Sequence, residues 1–309
     1  MDGARTLAQG VRRLYREGKL DMKAQGKVVV VTGAGNGIGR AVALELLNRG
    51  ATVAGVDLSA EGLAETARLA DASTGAGASA GASASSGSGA KKMSVHALSV
   101  ADRKLVAALP GTVIKKHGQV DGLINVAGII QKFVKIDDLD YADAERVFNV
   151  NFYGTLNMVK EFLPHLLARP EAQIVNISSM GGYVPVPGQS IYGASKAAVK
   201  LMTEALRSEL ASTSVGVSLV FPGAVSTNIS VNSGVTTEAE AKKMASDPNA
   251  AKFAMSTPEK AAQVIADAFE KNPFHAFIGS DATMMDRISR LSPERAAKLI
   301  QKQMASLLS

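Results

Sequence analysis

Lys27-Val28-Val29-Val30-Val31-Thr32-Gly33-Ala34-Gly35-Asn36-Gly37-Ile38-Gly39 decides the fold. Its first half is a continuous β-branched run with no polar face, which predicts a strand buried on both sides, as in a parallel sheet. Glycines follow at once. A helix is expected over residues 38–48, with Ile38, Val42 and Leu46 on one side and Arg49-Gly50 ending it. Residues 51–57 read as a second strand that closes on Asp57. A strand, a glycine turn, a helix and a strand ending in an acid form a dinucleotide-binding unit of about 30 residues. The glycines let the backbone approach a pyrophosphate, and the helix N-terminus offers N–H groups and the positive end of its dipole. Asp57 can accept hydrogen bonds from an adenosine ribose diol. The same carboxylate repels a 2′-phosphate, and no Arg or Lys adjoins it or occupies the glycine turn. NAD is therefore expected over NADP.

The α/β alternation continues outward. Further strands are expected at residues 92–98, 119–125, 172–178, 217–221 and 276–279. Helices are expected at 59–71, at 101–117 interrupted or bent near Pro110-Gly111, at 141–167 in two parts, at 190–211, and at 258–271. This is an α/β chain with a doubly wound parallel sheet and a single catalytic domain over residues 27–280. Residues 72–90 contain only Ala, Ser, Thr and Gly, so they have no large apolar group to bury and should form a flexible surface insertion. Residues 228–256 are polar and loop-like, with one possible helix near 238–245, and suit a lid over a substrate.

Two extensions flank the domain. In residues 1–26, Arg5, Arg12, Arg13, Arg16 and Lys19 alternate with apolar side chains, giving a loosely held segment with some amphipathic character. Residues 281–309 hold a Ser292 cap, Pro293 at the first helical position, and Ala296, Leu299, Ile300, Met304 and Leu307 at helical spacing. That helix is expected to pack on its own body or another subunit, or to touch a lipid surface. The net charge of +6 resides at the ends: residues 1–27 carry +4, residues 284–309 carry +3, and the body carries −1. The body thus has no electrostatic footprint for nucleic acid. With no cysteine, the chain has no disulfide framework and no thiol nucleophile, which suits a reducing compartment. His96, His117, His165 and His275 form no metal-ligand spacing. No transmembrane run and no secretory leader are apparent, and a cytoplasmic location is expected.

The chemistry centres on residues 179–196. Tyr192 and Lys196 are four apart and share a helix face, with Ser179 upstream at the end of an apolar strand. A nearby ammonium favours phenolate and lowers a tyrosine pKa from about 10. The Ser179 hydroxyl can hold a substrate oxygen against the phenol.

Together these residues resemble the classical short-chain dehydrogenase/reductase family over about residues 24–280. Thr32-Gly33-x-x-x-Gly37-x-Gly39 resembles its cofactor turn, Asn125-Val126-Ala127-Gly128 its Asn-Asn-Ala-Gly motif, and Pro222-Gly223 its nicotinamide-side turn. Asn151, Ser179, Tyr192 and Lys196 match its catalytic tetrad. The resemblance implies that Tyr192 exchanges a proton with the substrate oxygen while hydride passes to or from nicotinamide. Ser179 would hold that oxygen, Lys196 would lower the tyrosine pKa and bind the nicotinamide ribose, and Asn151 would hold a water linking Lys196 to solvent. Cofactor contacts are implied for Gly33, Asn36, Gly37, Ile38, Gly39, Asp57, Asn125, Ala127, Gly128, Tyr192, Lys196, Pro222, Gly223, Val225 and Thr227.

Two positions depart from the family pattern. Val126 replaces the second Asn, which implies a structural adjustment without loss of activity. Ser99 stands where an Asp often lies near the adenine. Ile129, Ile130, Met180, Tyr183, Val184 and Gln189 would line the substrate site, a mostly apolar set that suggests a lipophilic secondary alcohol or ketone. The alternatives are an NADPH-dependent 3-ketoacyl reductase, with Lys242, Lys243 and Lys252 at a basic entrance, and a non-catalytic NAD-binding regulatory protein. A homotetramer or homodimer built on helices 141–167 and 192–211 is also implied.

Overall fold

The structure is a computed structural model and describes residues 22–75, 92–237, 239–240 and 255–304. Seven strands, β1 (Val28–Thr32), β2 (Thr52–Asp57), β3 (Met93–Ala97), β4 (Gly122–Asn125), β5 (Ala172–Ile177), β6 (Val215–Pro222) and β7 (His275–Ile278), make one sheet. Their order is β3-β2-β1-β4-β5-β6-β7, and every pairing is parallel. The winding reverses between β1 and β4, so the switch point and its crevice lie at their carboxyl ends.

Strand alternation divides the core into two faces. Val29, Val31, Val53, Ile124 and Val175 pack under α1 (Gly37–Asn48), α2 (Ala60–Gly75) and α8 (Pro258–Lys271). Val28, Val30, Val56, Leu123 and Ile174 face α3 (Arg103–His117), α5 (Gly154–Leu167) and α6 (Ser190–Glu209). Between α4 (Tyr141–Phe148) and α5 lies a single π turn, Asn149–Tyr153. A short α7 (Ile229–Asn232) precedes α8, and α9 (Ser280–Leu291) and α10 (Pro293–Met304) complete the described chain.

Three expectations change. The helix is not interrupted at Pro110: α3 runs through it, capped by Asp102 and ended by Gly118 in the left-handed region. Burial of Val106, Leu109, Pro110 and Val113 on the sheet offsets the missing amide bond. Residues 22–26 are not loose, because Met22 and Ala24 lie in the core and bond Glu270 through their amides. The 228–256 region is not all loop, since α7 forms within it. The amphipathic pattern over residues 5–20, Leu307, residues 76–90 of the Ala/Ser/Gly segment and nearly all of the possible 238–245 helix lie outside the described residues. Of that segment's start, residues 72–75 continue α2. Among the described residues no helix is long and apolar enough to cross a membrane.

α9 and α10 pack on the body of the chain. Ala296 and Ile300 of α10, with Met285 of α9, bury Val184 and enclose Met180, Tyr183 and Val186. The carboxyl edge of the sheet thereby gains an apolar wall from beyond the last strand.

Candidate active site

The glycine turn is built for a backbone ligand. Gly33 sits at φ +70, and a Cβ there would press the Ala127 backbone at 3.1 Å. A Cβ on Gly39 would overlap the Gly33 carbonyl, so helix and turn approach as only glycine allows. Asn36 caps α1 by accepting from the Gly37 amide at 2.6 Å. The amides of Ile38 and Gly39 lie in the first turn, where no intrahelical acceptor exists. Asp57 accepts from the Gly35 amide at 2.9 Å and from the Ser59 amide at 2.9 Å, tying the second strand to the turn. This cradle, with Gly33, Gly35 and Gly39 where a side chain would crowd its neighbours and a carboxylate at its rim, fits a dinucleotide.

One feature escaped the sequence. Arg40 reaches back under the turn, where its guanidinium donates to the Gly35 carbonyl, to Gly62 O and to Thr66 Oγ1. A cation therefore does adjoin the glycine turn, with Nε and Nη2 committed to protein oxygens. The signal was present as an Arg one residue beyond Gly39, but its direction depends on α2.

Thr32 joins the turn to β4. Its hydroxyl accepts from the amides of Val126 and Ala127 at 3.0 and 3.1 Å. Asn125 donates to Asn176 Oδ1 at 2.9 Å, and Asn176 donates to Thr203 at 2.9 Å, so a buried polar chain crosses β4, β5 and α6. Asn125 thus supplies a polar tie across the sheet, and Val126 packs against the apolar core. Ser99 uses its hydroxyl on the Ala101 amide.

The four tetrad positions converge beside this turn. The π turn displaces Asn151 inward, fully buried, where it exchanges both hydrogen bonds with the Ile129 backbone and donates to Ser195 at 3.0 Å. Lys196 is buried and donates to the Ile177 carbonyl at 3.1 Å. A Cβ on Gly128 would lie 3.1 Å from Lys196 Nζ and 3.2 Å from Asn151 Oδ1, so glycine leaves these two groups a shared space. Ser179, just beyond β5, accepts from the Gly181 amide, and its hydroxyl and the Tyr192 ring both lie within 3.6 Å of the Cβ position of Gly181. Lys196 Nζ lies 6.0 Å from the Tyr192 ring centre.

The charge balance differs from expectation. Loss of hydration pushes the Tyr192 pKa up, and the Ser179 hydroxyl only partly opposes it. Burial also lowers Lys196 to about 8. Loss of hydration and the Ser179 hydroxyl are the two influences resolved on the phenol, and the lowering expected from Lys196 is not resolved beside them. A cationic oxidised nicotinamide nearby would favour phenolate.

Substrate-side residues fall into two groups. Met180 joins the apolar wall, and the Ile130 amide donates to Ser233 at 3.0 Å. Tyr183 donates its hydroxyl to Ala282 O at 2.7 Å and stacks edge-on with Phe221. Gln189 is buried and donates to the Gln131 carbonyl at 2.8 Å. Both therefore brace the wall through their polar ends.

The nicotinamide-side turn is held from the C-terminal side. Asp281 of α9 accepts from the Ala224 amide at 2.8 Å, and a Cβ on Gly223 would overlap its carboxylate. Val225 bridges to Ser256, and Thr227 lies 3.6 Å from the Cβ position of Gly37, over the glycine turn. Neither Asp281 nor Gln131 was revealed by a local motif, since each acts across distant segments.

The chain resembles known proteins over most of its length. The short chain dehydrogenase family model matches residues 27–238. The oxidoreductase SadH of Mycobacterium tuberculosis is 36% identical over 278 residues, covering 89% of this chain and 94% of that protein. The 3-oxoacyl-[acyl-carrier-protein] reductase FabG of Thermotoga maritima is 34% identical, covering 67% and 77%. A short chain dehydrogenase/reductase of Burkholderia phymatum, solved in complex with NAD, superposes with a TM-score of 0.74 at 27% identity, covering 89% of this chain and 97% of that one. The chain belongs to the short-chain dehydrogenase family. It is a nicotinamide-dependent oxidoreductase.

Proposed function

We propose that the protein is an NAD-linked dehydrogenase or ketone reductase acting on a lipophilic secondary alcohol or its ketone, with Tyr192 as the acid/base. The carrying observation is the meeting of Ser179, Tyr192, Lys196 and Asn151 at the carboxyl edge of β4 and β5, next to the glycine cradle. Bound there, the nicotinamide supplies the hydride chemistry. Ser179 holds the substrate oxygen, and Tyr192 takes its proton in oxidation and returns it in reduction. Lys196 sits with its Nζ 6.0 Å from the centre of the phenol ring, where it would bind the nicotinamide ribose, and the buried Asn151 would hold a water linking Lys196 to solvent. Asp57 at the rim supports NAD over NADP. Met180 and Val186, partly buried at the edge of the apolar wall, support an apolar substrate.

The likeness to FabG supports a second reading, a 3-ketoacyl reductase, which the Asp57 carboxylate opposes where NADPH is concerned. We further propose a cytoplasmic homotetramer or homodimer on the α4–α6 surface, where Tyr141 and Leu201 are exposed.

The test follows NAD reduction in absorbance with secondary alcohols from short aliphatic to long-chain and polycyclic, with NADP in parallel. Turnover of the lipophilic members with NAD, lost in Tyr192→Phe while NADH still binds, is the expected result. Near wild-type turnover in that variant would overturn the acid/base assignment.

A further inference from the structure

The helix that carries Tyr192 begins without a cap of its own. Gln189, at the capping position of α6, makes no side-chain capping bond. The first amides of a helix need acceptors, and burying them unpaired is costly. The acceptor comes from a residue 60 positions earlier in the chain. Gln131 Oε1 accepts from the Ile191 amide at 3.0 Å and from the Tyr192 amide at 3.0 Å. Its Nε2 donates to the Gly188 carbonyl at 3.2 Å, and its own carbonyl accepts from Gln189 Nε2 at 2.8 Å. Gln131 is fully buried, and it follows Gly128 by three residues, on the segment leaving the cofactor edge of β4.

We propose that Gln131 is the positioning residue of the reaction: it caps the Tyr192 helix from the cofactor turn and fixes the phenol relative to the nicotinamide site. The proposal rests on the acid/base role given to Tyr192. One side chain satisfies two amides, one of them the tyrosine's own, and the Gln131–Gly188 and Gln189–Gln131 bonds close the connection. A shift of the 128–131 segment is thereby passed to the start of α6. The bonds run through backbone groups, so the effect falls on Tyr192 placement and not on dinucleotide affinity, which the glycine cradle supplies.

Gln131→Met keeps length and bulk and removes the acceptor; Gln131→Glu keeps the acceptor and adds a charge. Three quantities are measured on the full chain: kcat and its pH profile with the best alcohol of the panel, NADH affinity by fluorescence, and hydrogen exchange of the 188–196 segment. For Gln131→Met, kcat is expected to fall roughly 10- to 100-fold with NADH affinity within about twofold, while exchange accelerates by about tenfold or more. Gln131→Glu should retain exchange protection and recover most of kcat, with the acidic limb of its pH profile for alcohol oxidation displaced upward by the carboxylate near Tyr192.

Wild-type kcat in Gln131→Met, with or without faster exchange, overturns the proposal. Should Gln131→Met fail to fold, a Gln131→Glu profile superimposable on wild type overturns it. Absence of wild-type turnover across the panel strikes the acid/base reading instead. Exchange then decides the cap separately, because it needs no catalysis.

Discussion

The cofactor cradle and the substrate wall are assembled in opposite ways. In the cradle, partners are close in sequence: Asn36 bonds Gly37, Asp57 bonds Ser59, and Ser59 bonds Gly62. Its longest side-chain tie from Asp57, to Gly35, spans 22 residues. On the substrate side the ties are remote. Asp281 reaches Ala224 across 57 residues, Gln131 reaches Tyr192 across 61, and Tyr183 reaches Ala282 across 99. The cradle's side-chain ties lie mostly within one strand–helix–strand unit, joined to the turn after β4 by the Thr32 hydroxyl. A wall of distant partners depends on α9 and α10, which lie beyond the region matched by the family model. The difference assigns cofactor binding to the local motif and substrate discrimination to the tertiary assembly.

That contrast can be broken at several points. The largest effect belongs to the acid/base centre, where Tyr192→Phe should cost on the order of 10²–10⁴-fold in turnover and leave NADH binding intact. Lys196→Met should also abolish most turnover, and it carries a stability signature. Folded Lys196 titrates near 8, below its ordinary value of about 10.4. Between those values the unfolded chain binds the extra proton, so folding stability rises with pH through that window, and the burial penalty is fully present below about pH 8. Lys196→Met should therefore melt above wild type at pH 7, with the advantage shrinking as pH approaches 10. An advantage that grew with pH would contradict the buried ammonium.

Asp57→Ala sharpens the contrast from the cradle side. It removes two hydrogen bonds to a carboxylate, each worth roughly 1.5–3 kcal/mol. The NAD KM should rise about 10- to 100-fold with kcat little changed, and discrimination against NADP should fall. Steady-state kinetics with both cofactors checks this. A kcat effect as large as the KM effect would mean that the cradle also orients the chemistry.

Asp281→Ala gives the smallest expected change, a loss of about 1.5–3 kcal/mol of stability at most, read as a lower melting temperature. It should raise the KM for both NAD and alcohol a few-fold, because the turn at Gly223-Ala224 and the wall share this carboxylate. A change in NAD KM alone would separate the turn from the wall.

The parts legible in the sequence are those with a short-range cause. Val28–Val31 must be buried on both faces, and the glycines of residues 33–39 must follow that strand, so the first unit could be read directly. Asn151 was legible as a polar residue amid apolar ones, but the π turn that pushes it inward was not. Pro110 signalled an interruption that burial overrode. Arg40 looked like an ordinary helix residue until α2 placed Gly62 and Thr66 beside it. Tyr183 and Gln189 were read as pocket residues from proximity to the catalytic helix, and their polar ends are engaged by Ala282 and Gln131.

The sequence by itself determined the parallel sheet, the glycine turn, the rim carboxylate at Asp57 and the spacing of Ser179, Tyr192 and Lys196. Each follows from residue type and separation along a strand or helix. Only the tertiary structure decided what holds that spacing in place: the Gln131 cap, the Asp281 brace and the α9–α10 wall over Val184. Those contacts join segments tens of residues apart, and no periodicity or local propensity encodes which distant amide a buried side chain will reach.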